Sequence, residues 1–534
     1  MQSTDALSDE LVHHLMTFVE AQADVASLLD ALPPGRLSAP LRALCYLLCS
    51  LYRGRIVRQT QSHGHHLSFW PDLVLPCDIK APDLIDALYD CMPLYTSVTC
   101  VGPRTWKALP PSAVFKVVHP MARPTRVFAM LQHTFASLKH VAIRTSLRNR
   151  KWADENLLRL SELLPRLPQL QSLDLDCTSP RVTPGILALL RAVFCTPRLT
   201  TLCLQTNTWH EDLDAVFAAW MAASPVASLD FCSRFPSDAP TFLRAIATSR
   251  TLTCLRVGNF RDARNLFLAK RPLEWSAPLS ELDVNLEMTP NGHSALNVVS
   301  WVNVQVLRAQ CIGDAAPIAL ALAQPSALQH LHLMNGPLVP AMYPVLNARL
   351  ARLVALCLTR NTLGDDGIRT LAAAFSTCLR LEQLTLSEQG MTDRGVTVLA
   401  ESLVACRSLR VLNMAHNAIG SDGFLALRPI LPRLTHLELQ YNCIGHKAAM
   451  ALRGLLPQTA HFRCLDMSAN PLGRIGVLAM VAALKPAVYR SGRLLVSVSA
   501  GDDHVACTAA RMGLRDPDYI VVGAIEPGRV ASMP

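Results

Sequence analysis

Two short segments carry residue types that could bind a metal ion. One holds three histidines: His63, His65 and His66. The other, near the C-terminus, holds mixed ligand types: Asp502, Asp503, His504 and Cys507. Imidazole, carboxylate and thiolate groups are common metal ligands. The first segment reads equally well as a polar loop, and the second lacks further matching ligands. We therefore expect no metal and no cofactor.

Residues for covalent or phosphoryl chemistry do not occur in known arrangements. The sequence has no P-loop, no HExxH, no GxSxG and no kinase catalytic-loop pattern. The 17 cysteines are scattered and include no C-x-x-C pair, which argues against a zinc ribbon or a redox site. We therefore expect a binding protein and not an enzyme, because catalysis would require a site that the sequence hides.

Polar residues recur at one position of a repeated apolar triplet, where the side chain points away from the core. Along the chain this position is occupied by Asp174, Cys203, Asp230, Arg256, Asp283, Arg308, His332, Cys357, Thr385, Asn413, Glu438 and Asp466. Acids outnumber arginines, which predicts a mildly acidic surface. With residues that follow the triplets, the candidate contacts to a protein ligand are Asp283, His332, Arg360, Glu388, Asn413, His416, Glu438, Tyr441 and Asp466. Tyrosine is frequent at binding hot spots, so Tyr441 is the strongest candidate.

The triplets predict the elements that position these residues. The copy Leu353-x-x-Leu356-x-Leu358-x-x-Asn361 is followed by others about 25–28 residues apart. Each triplet predicts a short strand, and a helix with an apolar face follows it. Between them we expect a turn whose buried peptide groups bond to an amide side chain. The predicted turn residues are Asn361, Asn417, Asn442 and Asn470.

These residues resemble a known family. The pattern Asn-x-Leu/Ile-Gly-x-x-Gly in 361–367 and 417–423, with Cys378 and Cys406 before the next strands, resembles the long repeats of ribonuclease-inhibitor-like leucine-rich repeat proteins. The resemblance covers roughly residues 130–500 and implies an α/β leucine-rich repeat solenoid, a curved horseshoe with parallel inner strands and outer helices. Between Asp262 and Val302 we expect irregular repeats. The class includes inhibitors, GTPase activators, immune sensors and ubiquitin-ligase receptors, so the fold implies a recognition scaffold without naming its ligand.

The N-terminal region predicts three short amphipathic helices, the third from about Ala39 to Tyr52. This arrangement resembles an F-box-like module, which in that family docks on the adaptor of a cullin ubiquitin ligase. The implied adaptor contacts are Leu11, Leu15, Phe18 and Leu28. The sequence departs from the family at Leu7-Ser8, which replaces a Leu-Pro opening, and it lacks the basic-tryptophan end of the third helix. A helical cap that seals the repeats is the alternative.

Two functional classes therefore remain. The first is a substrate receptor of a ubiquitin ligase. The second is a regulator of a small GTPase, similar to the Ran GTPase-activating members of this repeat class. The second leads one to expect an acidic C-terminal tract, whereas the tail 502–534 has only scattered acids.

A basic segment precedes the clearest repeats. Between Arg104 and Lys151 there are ten Lys or Arg residues and no acid, although the whole chain carries +9. Such a cluster could bind phosphate, nucleic acid or an acidic partner. It lacks interleaved aromatic residues and any nucleic-acid motif, so we favour a solvated surface and expect no nucleic acid.

The predicted organisation has four parts. Residues 1–60 form the F-box-like or capping unit, 61–130 a basic linker or first-repeat region, 131–500 the solenoid, and 501–534 a C-terminal cap and tail. Half of the residues are hydrophobic, but no apolar run reaches the length of a membrane span. The acidic N-terminus does not resemble a signal peptide. We expect a monomer in the cytoplasm or nucleus that does not bind membranes.

Overall fold

The structure of the chain is a computed structural model. It describes residues 25, 29, 37–52, 73–76, 81–95, 98–101, 114–116, 124–133, 139–143, 154–178, 183–206, 209–232, 240–257, 275–287, 301–312, 316–336, 338, 342–455, 464–473, 475–476, 479, 493–496 and 520–522. The chain divides into two compact units. Unit 1 comprises Met1–Asn265 with Ser276–Pro278, and unit 2 comprises Leu266–Trp275 with Leu279–Pro534.

Unit 1 begins with helices and a small parallel sheet. Helix α1 (Ala39–Tyr52) has the bounds that the sequence pattern predicts, and it packs on α2 (Pro82–Cys91). Three strands form the sheet in the order β1 (Leu73–Pro76), β2 (Val98–Val101) and β3 (Val114–Lys116). The sequence pattern did not reveal these strands, because their apolar runs are short and lack the leucine triplet.

The helix that precedes α1 is described at two positions, Val25 and Leu29. Both are helical and fully buried, so this face of the helix packs inside unit 1. The predicted adaptor contacts Leu11, Leu15, Phe18 and Leu28 lie outside the described residues.

The described residues of unit 1 beyond this sheet form strand–helix repeats. Its helices are α3 (Pro124–His133), α4 (Asp154–Leu163), α5 (Pro184–Val193), α6 (Asp214–Ala223) and α7 (Pro240–Ala247). Its strands pair in parallel and in sequence order: β4 (His140–Ile143), β5 (Ser172–Cys177), β6 (Thr201–Thr206), β7 (Ser228–Cys232) and β8 (Cys254–Val257). Alternate residues of β5 and β6 are buried, as expected for strands with one face against a core.

Unit 1 also contains a cluster of six aromatic rings between its helices and β7. Neighbouring ring centroids lie 4.3–5.9 Å apart. The members are Phe194, Trp209, Phe217, Trp220, Phe231 and Phe242. The indole N–H groups are also bonded: Trp209 Nε1 donates to Asp214 Oδ1 at 2.6 Å and Trp220 Nε1 to the Thr196 carbonyl at 3.3 Å. The cluster is therefore both buried and fixed in orientation.

Unit 2 repeats the same strand–turn–helix architecture. Its helices are α8 (Ala316–Ala323), α9 (Met342–Leu350), α10 (Gly364–Phe375), α11 (Asp393–Leu403), α12 (Ser421–Ala426) and α13 (His446–Leu455). Its parallel strands are β9 (Glu281–Glu287), β10 (Val306–Ile312), β11 (His330–Met334), β12 (Ala355–Thr359), β13 (Gln383–Thr385), β14 (Val411–Asn413), β15 (His436–Glu438), β16 (Cys464–Asp466), β17 (Arg493–Val496) and β18 (Ile520–Val522).

Leucines set the register of this sheet. Residues paired across strands β11 to β16 include one unbroken row of buried leucines: Leu331, Leu356, Leu384, Leu412, Leu437 and Leu465. A shift by one residue would place this row in solvent, so the row fixes the alignment of neighbouring repeats.

The α/β leucine-rich repeat solenoid predicted from the sequence is confirmed. The irregular region that we expected between Asp262 and Val302 falls largely outside the described residues.

Amide side chains hold the turns that follow the strands. Asn417 Nδ2 donates to the carbonyl groups of Leu386, Met414 and Ala415, and its Oδ1 accepts from the N–H groups of Gln389 and Met391. The asparagines of other repeats make equivalent bonds: Asn361, Asn442 and Asn470. Each side chain thus joins its own turn to the turn of the preceding repeat.

One repeat has a glutamine in place of the asparagine. Gln389 Nε2 donates to the carbonyl groups of Leu358 and Ser387 at 2.7 and 2.8 Å, and its Oε1 accepts from Leu363 N at 3.5 Å. Gln389 is almost fully buried. The longer side chain therefore makes the same bridge, which explains how a repeat without asparagine satisfies its turn.

Carboxylates cap the helix of the following repeat. Asp365 in α10 accepts hydrogen bonds from Thr392 N, Thr392 Oγ1 and Gly395 N at the start of α11. Asp393 in α11 accepts from Gly420 N at 2.5 Å. Burial opposes ionisation of Asp365, but these hydrogen bonds and the charge of Arg394 outweigh it and lower the pKa of the carboxyl group. The N-termini of α11 and α12 therefore each receive a carboxylate from the preceding helix.

This contact explains a glycine of the repeat pattern. A methyl group at Gly395 would collide with the Asp365 carboxylate. We expect Gly395→Ala to lower the free energy of unfolding by about 1–2 kcal/mol, because the cap would have to shift. When Asp365 is already alanine, the change of Gly395 to alanine should lower the free energy of unfolding much less. Chemical denaturation of the wild type, the two single variants and the double variant measures this coupling. Additive costs would show that Asp365 is not the group that requires glycine.

Candidate protein-binding surface

The polar residues between the triplet leucines lie side by side on the sheet of unit 2. We call them the open-face column. In strand order they are Asp283, Arg308, His332, Cys357, Thr385, Asn413, Glu438 and Asp466, each paired in register with the next. Their side chains are partly exposed, whereas the apolar residues on either side of them in each strand are buried. The column therefore presents a continuous strip of polar groups on the face opposite the core.

A second strip runs beside the first. The residue before each turn amide has left-handed backbone with φ of 54–57°. These residues are Arg360, Glu388, His416, Tyr441 and Ala469, and we call them the turn column. Non-glycine residues adopt this conformation at a cost of about 1 kcal/mol or more each. The hydrogen bonds of the neighbouring turn amides maintain this backbone conformation. The conformation holds four large side chains, those of Arg360, Glu388, His416 and Tyr441, beside the open-face column.

The turn column is ordered by contacts between repeats. Arg360 Nε donates to Glu388 Oε2 at 2.6 Å. The rings of His416 and Tyr441 stack with centroids 4.3 Å apart and planes 11° apart. Tyr441 is 42% exposed, so the stack presents an aromatic surface to solvent. No sequence pattern signals this stack, because its two members come from different repeats.

Two carboxylates occupy the same end of the open-face column as the strand that precedes Tyr441. Glu438 and Asp466 are register partners on β15 and β16, and both are half-buried. Burial raises the pKa of both groups, and the charge of Asp466 raises the pKa of Glu438 further. Asn413 Nδ2 donates to Glu438 Oε2, while Asn413 Oδ1 accepts from Ser387 Oγ at 2.8 Å. A chain of hydrogen bonds therefore fixes the acidic end of the column.

The opposite end of the column carries charges of both signs, and its arginine is paired with an acid. Arg308 forms an ion pair with Glu281. Burial and the charges of Arg308 and His330 lower the pKa of His332 to about 4, so this imidazole is neutral at physiological pH. The predicted contacts Asp283 and His332 lie at this end. Asn413, His416, Glu438, Tyr441 and Asp466 come together at the other, with Arg360 and Glu388 between.

The raised pKa values of Glu438 and Asp466 predict a pH effect. Ionisation of a carboxyl group whose folded-state pKa is raised costs stability, and this cost is absent below the unfolded-state pKa and fully present above the folded-state pKa. Relative to the wild type, Glu438→Gln/Asp466→Asn should therefore melt higher at neutral pH, and the gap should shrink on acidification. Calorimetric melting across the carboxyl titration range measures this. A gap independent of pH would contradict the assigned cause.

The described residues offer little for metal or thiol chemistry. Within them no group of three or more His, Cys, Asp or Glu side chains could hold a metal ion. Burial raises the pKa of Cys378 to about 12 and that of Cys406 to about 11, so these thiols stay protonated. The histidines at 63, 65 and 66 and the segment 502–507 lie outside the described residues.

Among the helices that are described, none has the length and apolarity to cross a bilayer.

The repeats also match a known sequence family. A family model described as "Leucine Rich repeat" matches residues 405–427 and 432–452, which contain β14, α12, β15 and most of α13. These are leucine-rich repeats. No curated protein matches the chain. Most of the basic segment 104–151 lies outside both the matched and the described residues.

Several solved structures are similar to the chain at low identity. The yeast Rad7 and Elc1 complex is 18% identical over 64% of this chain and 88% of that chain, with a TM-score of 0.41. An internalin (inlF) from Listeria monocytogenes is 15% identical over 61% and 86%, with a TM-score of 0.35. The TLR13–ssRNA13 complex is 15% identical over 71% and 51%, with a TM-score of 0.38.

Proposed function

We propose that the protein is a recognition scaffold that binds a partner protein at the acidic end of the open-face column, and that residues 1–60 attach it to a cullin ubiquitin ligase as an F-box-type substrate receptor. The exposed His416–Tyr441 stack beside half-buried, hydrogen-bonded acids carries the first part. Aromatic groups surrounded by fixed polar groups are typical of binding hot spots. The helical N-terminal pattern supports the second part.

The test of the first part is affinity purification with matched variants. We expect His416→Ala/Tyr441→Ala to weaken capture of the cognate partner by about 30-fold, as loss of a hot spot does. Arg369→Ala changes an exposed helix residue and should leave capture unchanged. Mass spectrometry of the captured proteins identifies the partner. A set of captured proteins that is the same for all three proteins would refute binding at the stack.

The test of the second part uses the predicted adaptor contacts. Leu11→Asp/Leu15→Asp should abolish recovery of the ligase adaptor and cullin, while the melting temperature of the chain stays nearly unchanged. The reason is that residues at an exposed docking face contribute little to the core. Unfolding by the same variant would instead show that these leucines seal the repeats. Recovery of a small GTPase, without any cullin, would favour the GTPase regulator.

A further inference from the structure

The acidic end of the open-face column carries negative charge that the described residues do not neutralise. Glu438 and Asp466 are adjacent across β15 and β16. No ion pair among the described residues includes either of them. In contrast, Arg308 at the opposite end is matched by Glu281, and Arg360 is matched by Glu388. Two half-buried carboxylates side by side without a cation destabilise the fold, as binding sites often do.

A further acceptor lies beside these carboxylates. The side chain of Gln440 hydrogen-bonds the Glu438 carboxyl group. Its Oε1 is shielded from solvent and receives no hydrogen bond from the described part of the chain. A buried acceptor without a donor is unfavourable. Asn413, Gln440 and Ser468 donate to the two carboxylates, but no cation among the described residues pairs with them, and the Gln440 oxygen adds a further acceptor.

The aromatic stack supplies a flat surface next to the acceptors. Tyr441 lies three residues after Glu438, in the turn that follows β15, and stacks on His416. Its exposed face suits a planar cation, because a guanidinium group stacks on tyrosine while its N–H groups bond carboxylates. Lysine can satisfy the charge but not the stacking geometry. An arginine side chain therefore matches the charge, the hydrogen-bonding capacity and the shape of this surface.

We propose that Glu438, Asp466 and Tyr441 bind an arginine side chain from a basic, extended segment of the partner protein. This inference rests on the proposed recognition function and specifies the chemistry of the partner. An arginine would neutralise the two carboxylates and stack on Tyr441. A nucleic acid or an anionic lipid surface would be repelled by the same carboxylates.

The experiment measures binding of two synthetic probes to the full chain by fluorescence anisotropy. One probe is a short arginine-rich peptide with a fluorescein label, and the other is identical except that glutamate replaces arginine. We expect the arginine peptide to bind and the glutamate peptide not to bind. A lysine version should bind more weakly than the arginine version, because it lacks the stacking and bidentate contacts.

Charge-matched variants show whether binding is local. Glu438→Gln/Asp466→Asn should weaken binding of the arginine peptide by about tenfold or more. Glu401→Gln/Asp422→Asn removes the same charge from exposed positions on α11 and α12 of unit 2 and should change it little. The melting temperature of Glu438→Gln/Asp466→Asn should also be no lower than that of the wild type. Equal effects of the two variants, or no binding of the arginine peptide, would overturn the proposal.

The outcome can be separated from that of the recognition function. The cognate partner captured from cells is compared on the two double variants, Glu438→Gln/Asp466→Asn and His416→Ala/Tyr441→Ala. Loss of the partner from both supports the arginine site. Loss from the aromatic variant alone leaves the recognition function intact and overturns the arginine site. Retention by both overturns recognition at this surface and the arginine site with it.

Discussion

Phe217→Ala is expected to lower the free energy of unfolding by about 3–5 kcal/mol, the range for deletion of a buried aromatic side chain. Phe217 is fully buried and contacts Phe194, Trp209, Trp220 and Phe242, with its ring centroid 4.3 Å from that of Phe242. Its removal leaves a cavity that Trp209 and Trp220 cannot fill without breaking their indole hydrogen bonds.

Urea denaturation followed by tryptophan fluorescence measures this loss, because Trp209 and Trp220 lie in the cluster. Phe217→Leu keeps most of the volume and should lose less stability. A loss below about 1 kcal/mol for Phe217→Ala would mean that the cluster is loosely packed and does not hold α5, α6 and α7 together.

Asn417→Ala is the second large effect, and we expect a loss of about 3 kcal/mol. The change leaves three carbonyl groups and two N–H groups without their side-chain partner, and each unsatisfied buried group is costly. Gln383→Ala, at an exposed position on the neighbouring strand β13, is the control and should stay within about 0.5 kcal/mol of the wild type.

Thermal and chemical denaturation of both variants test this prediction. Hydrogen exchange adds a local measurement, because the N–H groups of Gln389 and Met391 should lose protection in Asn417→Ala. Unchanged exchange at these two groups would show that water replaces the asparagine side chain at no cost.

The repeat architecture could be predicted because it depends on the spacing of apolar residues that are close in the sequence. Alternation along a strand fixes which side chains point inward, so the leucines of each triplet identified the buried row, and the residues between them identified the open-face column. The helix from Gly364 follows from the same logic, because Ile368, Leu371 and Phe375 repeat at helical spacing and are all fully buried. Neighbouring repeats of equal period then stack in register without further information.

Contacts between repeats could not be predicted in the same way. Gln389 replaces an asparagine with a side chain one methylene longer, and only the position of Leu358 in the preceding repeat shows that it can make the bridge. The aromatic cluster of unit 1 joins Phe194, at the end of α5, to Phe242 in α7. Such pairs depend on the tertiary arrangement and not on any sequence period.

The candidate surface shows the same limit. The spacing placed Glu438 and Asp466 on one face, but their burial, and with it the direction of their pKa shifts, follows from side chains on neighbouring strands. His416 and Tyr441, which stack on each other, both have left-handed backbone. Neither histidine nor tyrosine favours left-handed backbone, so the sequence did not predict this conformation. It follows from the hydrogen bonds that Asn417 and Asn442 make in the turns.

The bonds between repeats have a direction along the chain. Asn417 reaches back to Leu386, Gln389 and Met391, and the helix start at Thr392–Gly395 is capped by Asp365 of the preceding repeat. A repeat therefore finds its partners in the neighbour that the ribosome has already made. The array can therefore grow repeat by repeat, because each new asparagine completes the turn of the repeat before it, and synthesis from the N-terminus supplies the repeats in that order.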